Sequence, residues 1–336
     1  MVVFGVSFAL LVIAILRANP VATTGLSVNS QSSTRTVFQF DNGTWVENIA
    51  ARPNGKLLIT ILNRPELYQI DPFKNTASLV TNLEDEAHAL SLVGITEMSP
   101  DVFVFIAGNY SLARLESDPK SYSIWQIDFN RGGRRDQISR IAKLPEARFL
   151  NGMTTLNRKD GIVLISDSDR GVVWRLNIQT GKYDVVLEDP TMKPVEGMPL
   201  ILGINGIKIF KSYLYYVNTM KRLFCRVRID TSTGKASGPY EIIATDLPGD
   251  DFIISADGSV FITENSVNSL ERIGMNGSRS LIAGGLNSTV IAGVTSIAFG
   301  RSWRDPGIAY AATSGALIAP VNGTYSEGGK VVAVVL

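Results

Sequence analysis

Short apolar runs alternate along the chain with small polar and turn-forming residues, and the alternation recurs. Six segments carry the densest apolar character: GKLLIT, DVFVFIAG, GIVLISDS, YLYYVNT, GSVFITEN and GIAYAATSG. Five are followed by a second segment with an aromatic or long apolar residue: ELYQID, SIWQIDF, VVWRLNI, FCRVRID and LERIGMNG. The sixth partner is either degraded around GALIAPV or delayed to KVVAVVL. Each unit has a leading segment (WVENIAARP, ALSLVGITEMSP, FLNGMTTLNRK, ILGINGIKIFK, DDFIISADG and VTSIAFG), and five have a trailing one such as ASLVTNL or YDVVLED.

Four short strands per unit, repeated six times at a spacing of about 45 to 60 residues, predict an all-β fold, a six-bladed β-propeller. The sixth unit lacks a trailing strand, and the orphan RTVFQF at 35–40 has that strand's pattern. Closure by N- and C-terminal strands sharing the last blade is therefore expected, which leaves no free edge. Helical periodicity is poor beyond the first residues. Two β-sandwiches are the rival architecture, but six in-phase units favour one ring.

In a propeller the first strand of each blade lines a central channel. The leading segments then bring Glu47, Leu92 or Gly94, Asn151, Asn205, Asp251 and Gly293 or Thr295 near one mouth. An Asn-Gly pair ordinarily marks a hairpin turn. Those at 151–152 and 205–206 sit at the front of apolar runs, so they are expected to be channel-facing side chains whose following Gly relieves crowding. Glu47, Asn151, Asn205 and Asp251 are all hard oxygen donors, a reasonable first shell for Ca²⁺. Alternatively they hydrogen-bond one another and water at the axis. Phe149, Met153, Trp45, Tyr110 and Met220 fall near inner-strand ends or mouth loops, where they would form an apolar wall or simply pack in the core. His88 precedes the second leading strand, within reach of the mouth as a general acid or base, or else solvated. Asp167, Asp169, Asn218 and Glu264 lie between first and second segments and are expected to satisfy backbone amides in turns.

Composition narrows the chemistry. The 336 residues are 45% hydrophobic and 19% charged with a net charge of +1, and no basic tract occurs, which argues against nucleic acid as a partner. A single histidine excludes sites needing several imidazoles, and a single cysteine, Cys225, excludes an internal disulfide. Cys225 is in phase with Leu223 and Val227, as a buried apolar residue would be. No G-x-S-x-G, H-E-x-x-H, P-loop or G-x-G-x-x-G motif is present. The uncharged opening MVVFGVSFALLVIAIL is shorter than the roughly 20 residues of a spanning helix. We expect residues 1–22 to be a signal peptide, residues 23–336 to be the propeller, and the protein to follow the secretory pathway or be extracellular. No stable membrane span is expected after signal removal. Sequons at Asn42, Asn109, Asn276, Asn287 and Asn322 are consistent with that route.

The stretches WVENIAARPNGKLLIT, FLNGMT, GINGIK with LYYVNT, and GDDFIISADGSVFITEN, in that order and spacing, resemble the SMP-30/gluconolactonase-like superfamily of six-bladed propellers. The signal segment, the length and ENIAARPNG make the chain similar to its fungal secondary-metabolite branch, which includes hetero-Diels–Alderases of tropolone sesquiterpenoid biosynthesis. The resemblance implies a mouth metal site at Glu47, Asn151, Asn205 and Asp251, taking Ca²⁺ or Zn²⁺ if occupied. It also implies one of two enzymes. A hetero-Diels–Alderase would join a tropolone-derived quinone methide to a humulene-type sesquiterpene in an apolar pocket, and needs no cofactor. Asn151 and Asn205, with Phe149 and Met153, would then bind these apolar small-molecule substrates, and Glu47, Asp251 or His88 would assist loss of water. A divalent-metal-dependent lactonase would instead polarise a lactone carbonyl and use Asp251 to activate water.

Overall fold

The computed structural model describes residues 32–132, 137–274 and 276–336. Within these residues six four-stranded sheets form six blades in a ring. The strand nearest the axis in each blade is, in chain order, Val46–Ala51, Ser91–Ser99, Leu150–Asn157, Ile204–Phe210, Phe252–Ile254 and Val294–Phe299. The ring closes as expected. Thr34–Gln39 forms the outer edge of the last blade, paired antiparallel with Lys330–Val335, which pairs with Ile308–Thr313. The delayed KVVAVVL is therefore the third strand. The GALIAPV stretch is a loop with one bridge, Val321 to Tyr325.

The second strand of each blade lies between neighbouring strands and packs on both faces, which explains its unbroken apolar run. All residues of Leu57–Ile61 and of Ile162–Asp167 are buried, whereas the outer strand Thr76–Asn82 has no buried residue. Hydroxyls on these elements tie adjacent blades together at the axis. Thr60 Oγ1 donates to the Val93 carbonyl (2.6 Å), Ser166 Oγ to Asn205 (2.7 Å) and Thr263 Oγ1 to Thr295 (3.0 Å). Thr295 Oγ1 in turn donates to Val46 (2.9 Å), joining the last blade to the first.

Five of the six inner strands break register at the mouth end, between Val46 and Asn48, Leu92 and Ile95, Leu150 and Met153, Ile204 and Ile207, and Val294 and Ser296. Such bulges re-aim the extra residue, and here they involve Glu47, Asn151 and Asn205. The paired glycines are where inner strands approach backbone to backbone. A Cβ on Gly152 would lie 2.5 Å from the Asn205 carbonyl oxygen. One on Gly206 would lie 2.4 Å from Asp251 Oδ1 and 2.8 Å from the Asp250 carbonyl oxygen. Neither Asn-Gly pair is a hairpin turn.

Among the described residues no helix is long and apolar enough to cross a membrane. The signal peptide expected at residues 1–22 lies outside the described residues. Of the sequon asparagines, Asn42, Asn276, Asn287 and Asn322 are exposed. Asn109 is half-buried, and its Oδ1 accepts the Leu90 amide (3.0 Å).

Candidate active site

Loops at the mouth end of the channel form a pocket on the axis of the ring. Its walls are apolar: Trp45, Leu62, Tyr110, Leu112, Phe149, Leu200, Leu202 and Ile318. Its polar lining is Glu47, Asn151, Asn205, Thr219, Asp250, Asn265 and Ser266. The wall comes from insertions between strands. Tyr110 begins a short hairpin, Tyr110–Ser111 against Glu116–Ser117, and its ring stacks on Phe149 with centroids 4.9 Å apart. Leu200 and Leu202 belong to the long connection before Ile204, and Ile318 to the loop after Thr313.

The bulge after Val46 carries Glu47, whose Oε2 accepts the Trp45 indole N–H at 2.6 Å. Burial disfavours the carboxylate and pushes Glu47 up to about 7, the indole opposing the shift and the charge of Asp251 adding to it. Asp250 is likewise raised well above the usual carboxylate range, by burial first and then by the negative charges of Glu47 and Asp251. Asn205 Nδ2 donates to Asp250 Oδ1 (2.7 Å) and to Thr219 Oγ1 (3.1 Å), and Thr219 Oγ1 donates to the Gly249 carbonyl (2.7 Å). Two lining groups are left over. No hydrogen bond within the described residues engages the buried Asn151 amide, and the buried Ser266 hydroxyl has no partner.

Of the residues expected at the mouth, Glu47, Asn151, Asn205 and Phe149 line the pocket, as do Trp45 and Tyr110. Asp251 does not; the mouth carboxylate is its neighbour Asp250. Asp251 Oδ1 receives Lys208 Nζ (2.6 Å) and Oδ2 receives the Ser296 hydroxyl (2.7 Å), so both its oxygens are engaged away from the pocket. Successive residues entering a strand point to opposite sides, so an error of one position exchanges the two acids. Met153 is 3% exposed and packs in the core with Ile106 and Val104 rather than in the pocket lining. Met220 packs behind the wall on Leu200. His88 is exposed, at the left-handed end of the short helix Glu84–Ala87, and is not among the lining residues.

The remaining polar strand ends are structural. Asp167 accepts the amides of Arg148 and Phe149 (3.0 Å each) and the Trp174 indole (3.1 Å). Asn218 bridges the carbonyls of Thr191 and Lys193 and accepts the Lys221 amide. Cys225 is fully buried, and burial pushes its thiol up to about 11, which leaves it a small apolar residue.

As donors for a cation, Glu47, Asp250 and Asn151 are hard oxygens with neither His nor Cys among them, a set suited to Ca²⁺ and not to Zn²⁺. The unengaged Asn151 amide and the two raised carboxyls fit such an ion. Asn205 fits it less well, since its amide already bridges Asp250 and Thr219. Among the described residues no cluster of three or more His, Cys, Asp or Glu side chains is placed to hold a metal.

A closed six-bladed ring with an apolar, acid-floored pocket at the channel mouth defines the class: an all-β six-bladed propeller with a pocket on its axis. No family model matches the chain. It is similar to a protein of Sarocladium schorii named "Putative hetero-Diels-Alderase asR5", 29% identical over 308 residues, covering 82% of this chain and 77% of the relative. A Phoma sp protein named "Putative hetero-Diels-Alderase" is 26% identical over 300 residues, covering 82% and 85%. In fold it matches the crystal structure of the calcium-binding protein regucalcin from Agrobacterium tumefaciens, with a TM-score of 0.61 and 15% identity over 91% of this chain and 95% of that one.

Proposed function

We propose that the protein is a hetero-Diels–Alderase of secondary metabolism, joining a tropolone-derived quinone methide to a humulene-type sesquiterpene in the mouth pocket. The observation that carries the proposal is the division of the pocket into an apolar wall and an acidic, amide-bearing lining. A cycloaddition gains chiefly from holding two partners in a reactive orientation, and from hydrogen bonds to the electron-poor one. The names of both relatives agree with this chemistry.

The oxygens of a hydroxymethyl tropolone would meet the free Asn151 amide and the Glu47 and Asp250 carboxyls. Glu47, pushed up to about 7, holds its proton in mildly acidic solution. It would pass that proton to the departing hydroxyl, releasing water as the C–O bond breaks, and the Glu47 carboxylate would take back the proton of the tropolone ring hydroxyl, leaving the quinone methide as a C=C–C=O heterodiene. A sesquiterpene alkene held against Trp45, Phe149 and Leu202 then adds across it, forming one C–C and one C–O bond. The Asn151 N–H donates to the heterodiene oxygen and draws electron density from it as the bonds form. The walls exclude the water that would otherwise add to the quinone methide.

A metal-dependent lactonase is the second reading, favoured by the hard oxygen donors Glu47, Asp250 and Asn151; an ion held there would polarise a lactone carbonyl. One experiment separates the two. Purified protein is offered a hydroxymethyl tropolone with humulene and, separately, aldonolactones, each with and without chelator. An enantioenriched cycloadduct formed in chelator supports the cycloaddition. Chelator-sensitive ring opening without adduct replaces it with the lactonase.

A further inference from the structure

The turns at the end of the ring away from the pocket bring together an exposed tryptophan, several cations and the point where the chain enters the fold. Trp303 is 88% exposed, in the turn between Val294–Phe299 and Ile308–Thr313. That turn is fixed from beneath. Buried Asp305 accepts the Ser302 amide (2.7 Å), the Ser302 hydroxyl (2.8 Å) and the Tyr310 hydroxyl (3.0 Å). A Cβ on Gly300 would lie 2.5 Å from the Asp305 carboxyl carbon. The indole is thus held out in water by a buried network.

Lys56, Arg301 and Arg304 share a shallow depression with Trp303 and Phe73. The Arg304 guanidinium lies 3.8 Å over the Phe73 ring, and Arg301 pairs with Glu97 at 2.8 Å. Neither Lys56 nor Arg304 has an ion-pair partner among the described residues. The one carboxylate lining the depression, Asp71, is engaged by the amides of Phe73 and Lys74. The connection between the first two blades, on the pocket side, instead exposes Glu84, Asp85 and Glu86.

The chain also enters here. The Ser33 carbonyl accepts the Val335 amide (3.0 Å), Leu336 N–H donates to Gly307 (2.9 Å), and Arg35 donates to Asn75 Oδ1 (2.9 Å). The described chain therefore starts at this end of the ring.

We propose that this face docks on an anionic phospholipid surface, Trp303 at headgroup depth and Lys56 and Arg304 against the phosphates, with the pocket mouth turned away from the bilayer. Tryptophan favours the membrane interface because its ring is apolar and its N–H needs a polar partner. Clustered cations add attraction to an anionic leaflet.

The test is binding of the full chain to vesicles of phosphatidylcholine, with and without phosphatidylserine, some carrying brominated acyl chains. The other three tryptophans, Trp45, Trp125 and Trp174, are at most 6% exposed, so quenching by lipid bromine reports on Trp303. The expected result is phosphatidylserine-dependent binding with fluorescence quenching. Trp303→Ser removes the quenching, and Arg304→Gln lowers vesicle affinity about fivefold. A chain beginning at residue 23 keeps the phosphatidylserine dependence. Absence of binding overturns the proposal, as does binding without quenching. Loss of all binding on removing residues 1–22 also overturns it, because the apolar run alone would then account for the contact.

Discussion

Asn205 and Asp250 meet across the seam between the fourth and fifth blades, the amide nitrogen 2.7 Å from the carboxyl oxygen. The contact couples the bulge of one inner strand to the residue that leads into the next. It also supplies one of the two amide contacts that oppose the raised pKa of Asp250.

Asn205→Ala removes that donor. Asp250 then titrates still higher, and the change costs about 1–3 kcal/mol of stability for the buried hydrogen bond lost. Urea unfolding measures the cost, and the pH profile of kcat/KM measures the shift. An unchanged profile would show that Asp250 does not govern the rate.

Glu47 acts in the proposed reaction as a protonated acid. With its pKa about 7, activity falls as pH rises through 7. Glu47→Gln keeps an acceptor for the Trp45 indole but has no proton to give, so kcat drops on the order of 10²- to 10⁴-fold and the fall near pH 7 disappears. The assay is product formation from the hydroxymethyl precursor. A preformed quinone methide, which needs no dehydration, should be far less sensitive to the substitution.

Glu264 is buried beside the pocket residues Asn265 and Ser266. Burial, then the charge of Glu271, pushes it from 4.5 up to about 8, against the Ser269 hydrogen bond. The folded state binds this proton more tightly than the unfolded chain. Its stabilising contribution is thus complete below about pH 4.5 and is lost as pH rises through 8, by an amount on the order of a few kcal/mol. Glu264→Gln keeps an acceptor for Ser269 and should flatten the fall in Tm between pH 5 and 9.

Gly206→Ala places a methyl group 2.4 Å from Asp251 Oδ1 and 2.7 Å from its Cα. The fifth blade's leading segment must retreat, at about 1–3 kcal/mol as for other overpacked sites. Gly152→Ala, with the Asn205 carbonyl oxygen 2.5 Å away, should cost a similar amount. Chemical denaturation of the two variants checks both values.

Much of this architecture was legible before any coordinates. The apolar Thr34–Gln39 segment needed a partner and the sixth unit lacked a strand, so closure followed. The Asn-Gly pairs were legible too, because a turn signal in the middle of a buried run contradicts a hairpin. Asp250 was missed because assigning a face depends on where the strand starts, and that start is ambiguous by one residue. Met153 and His88 were given a place near the mouth from their position along the chain, which does not say which way a side chain turns once the strand bulges or the loop swings outward.

The chain by itself determined the number of blades, the mode of closure and most of the polar residues at the axis, because a strand's burial on one or both faces imprints a local period. Only the tertiary structure decided that Asp250 and not Asp251 faces the pocket, and that Leu112, Leu200, Leu202 and Ile318 converge on Trp45 and Phe149. It alone set Trp303 beside Lys56 and the start of the fold. Loops obey no period, and contacts between residues more than a hundred positions apart depend on how the blades are turned about the axis, which no local pattern records.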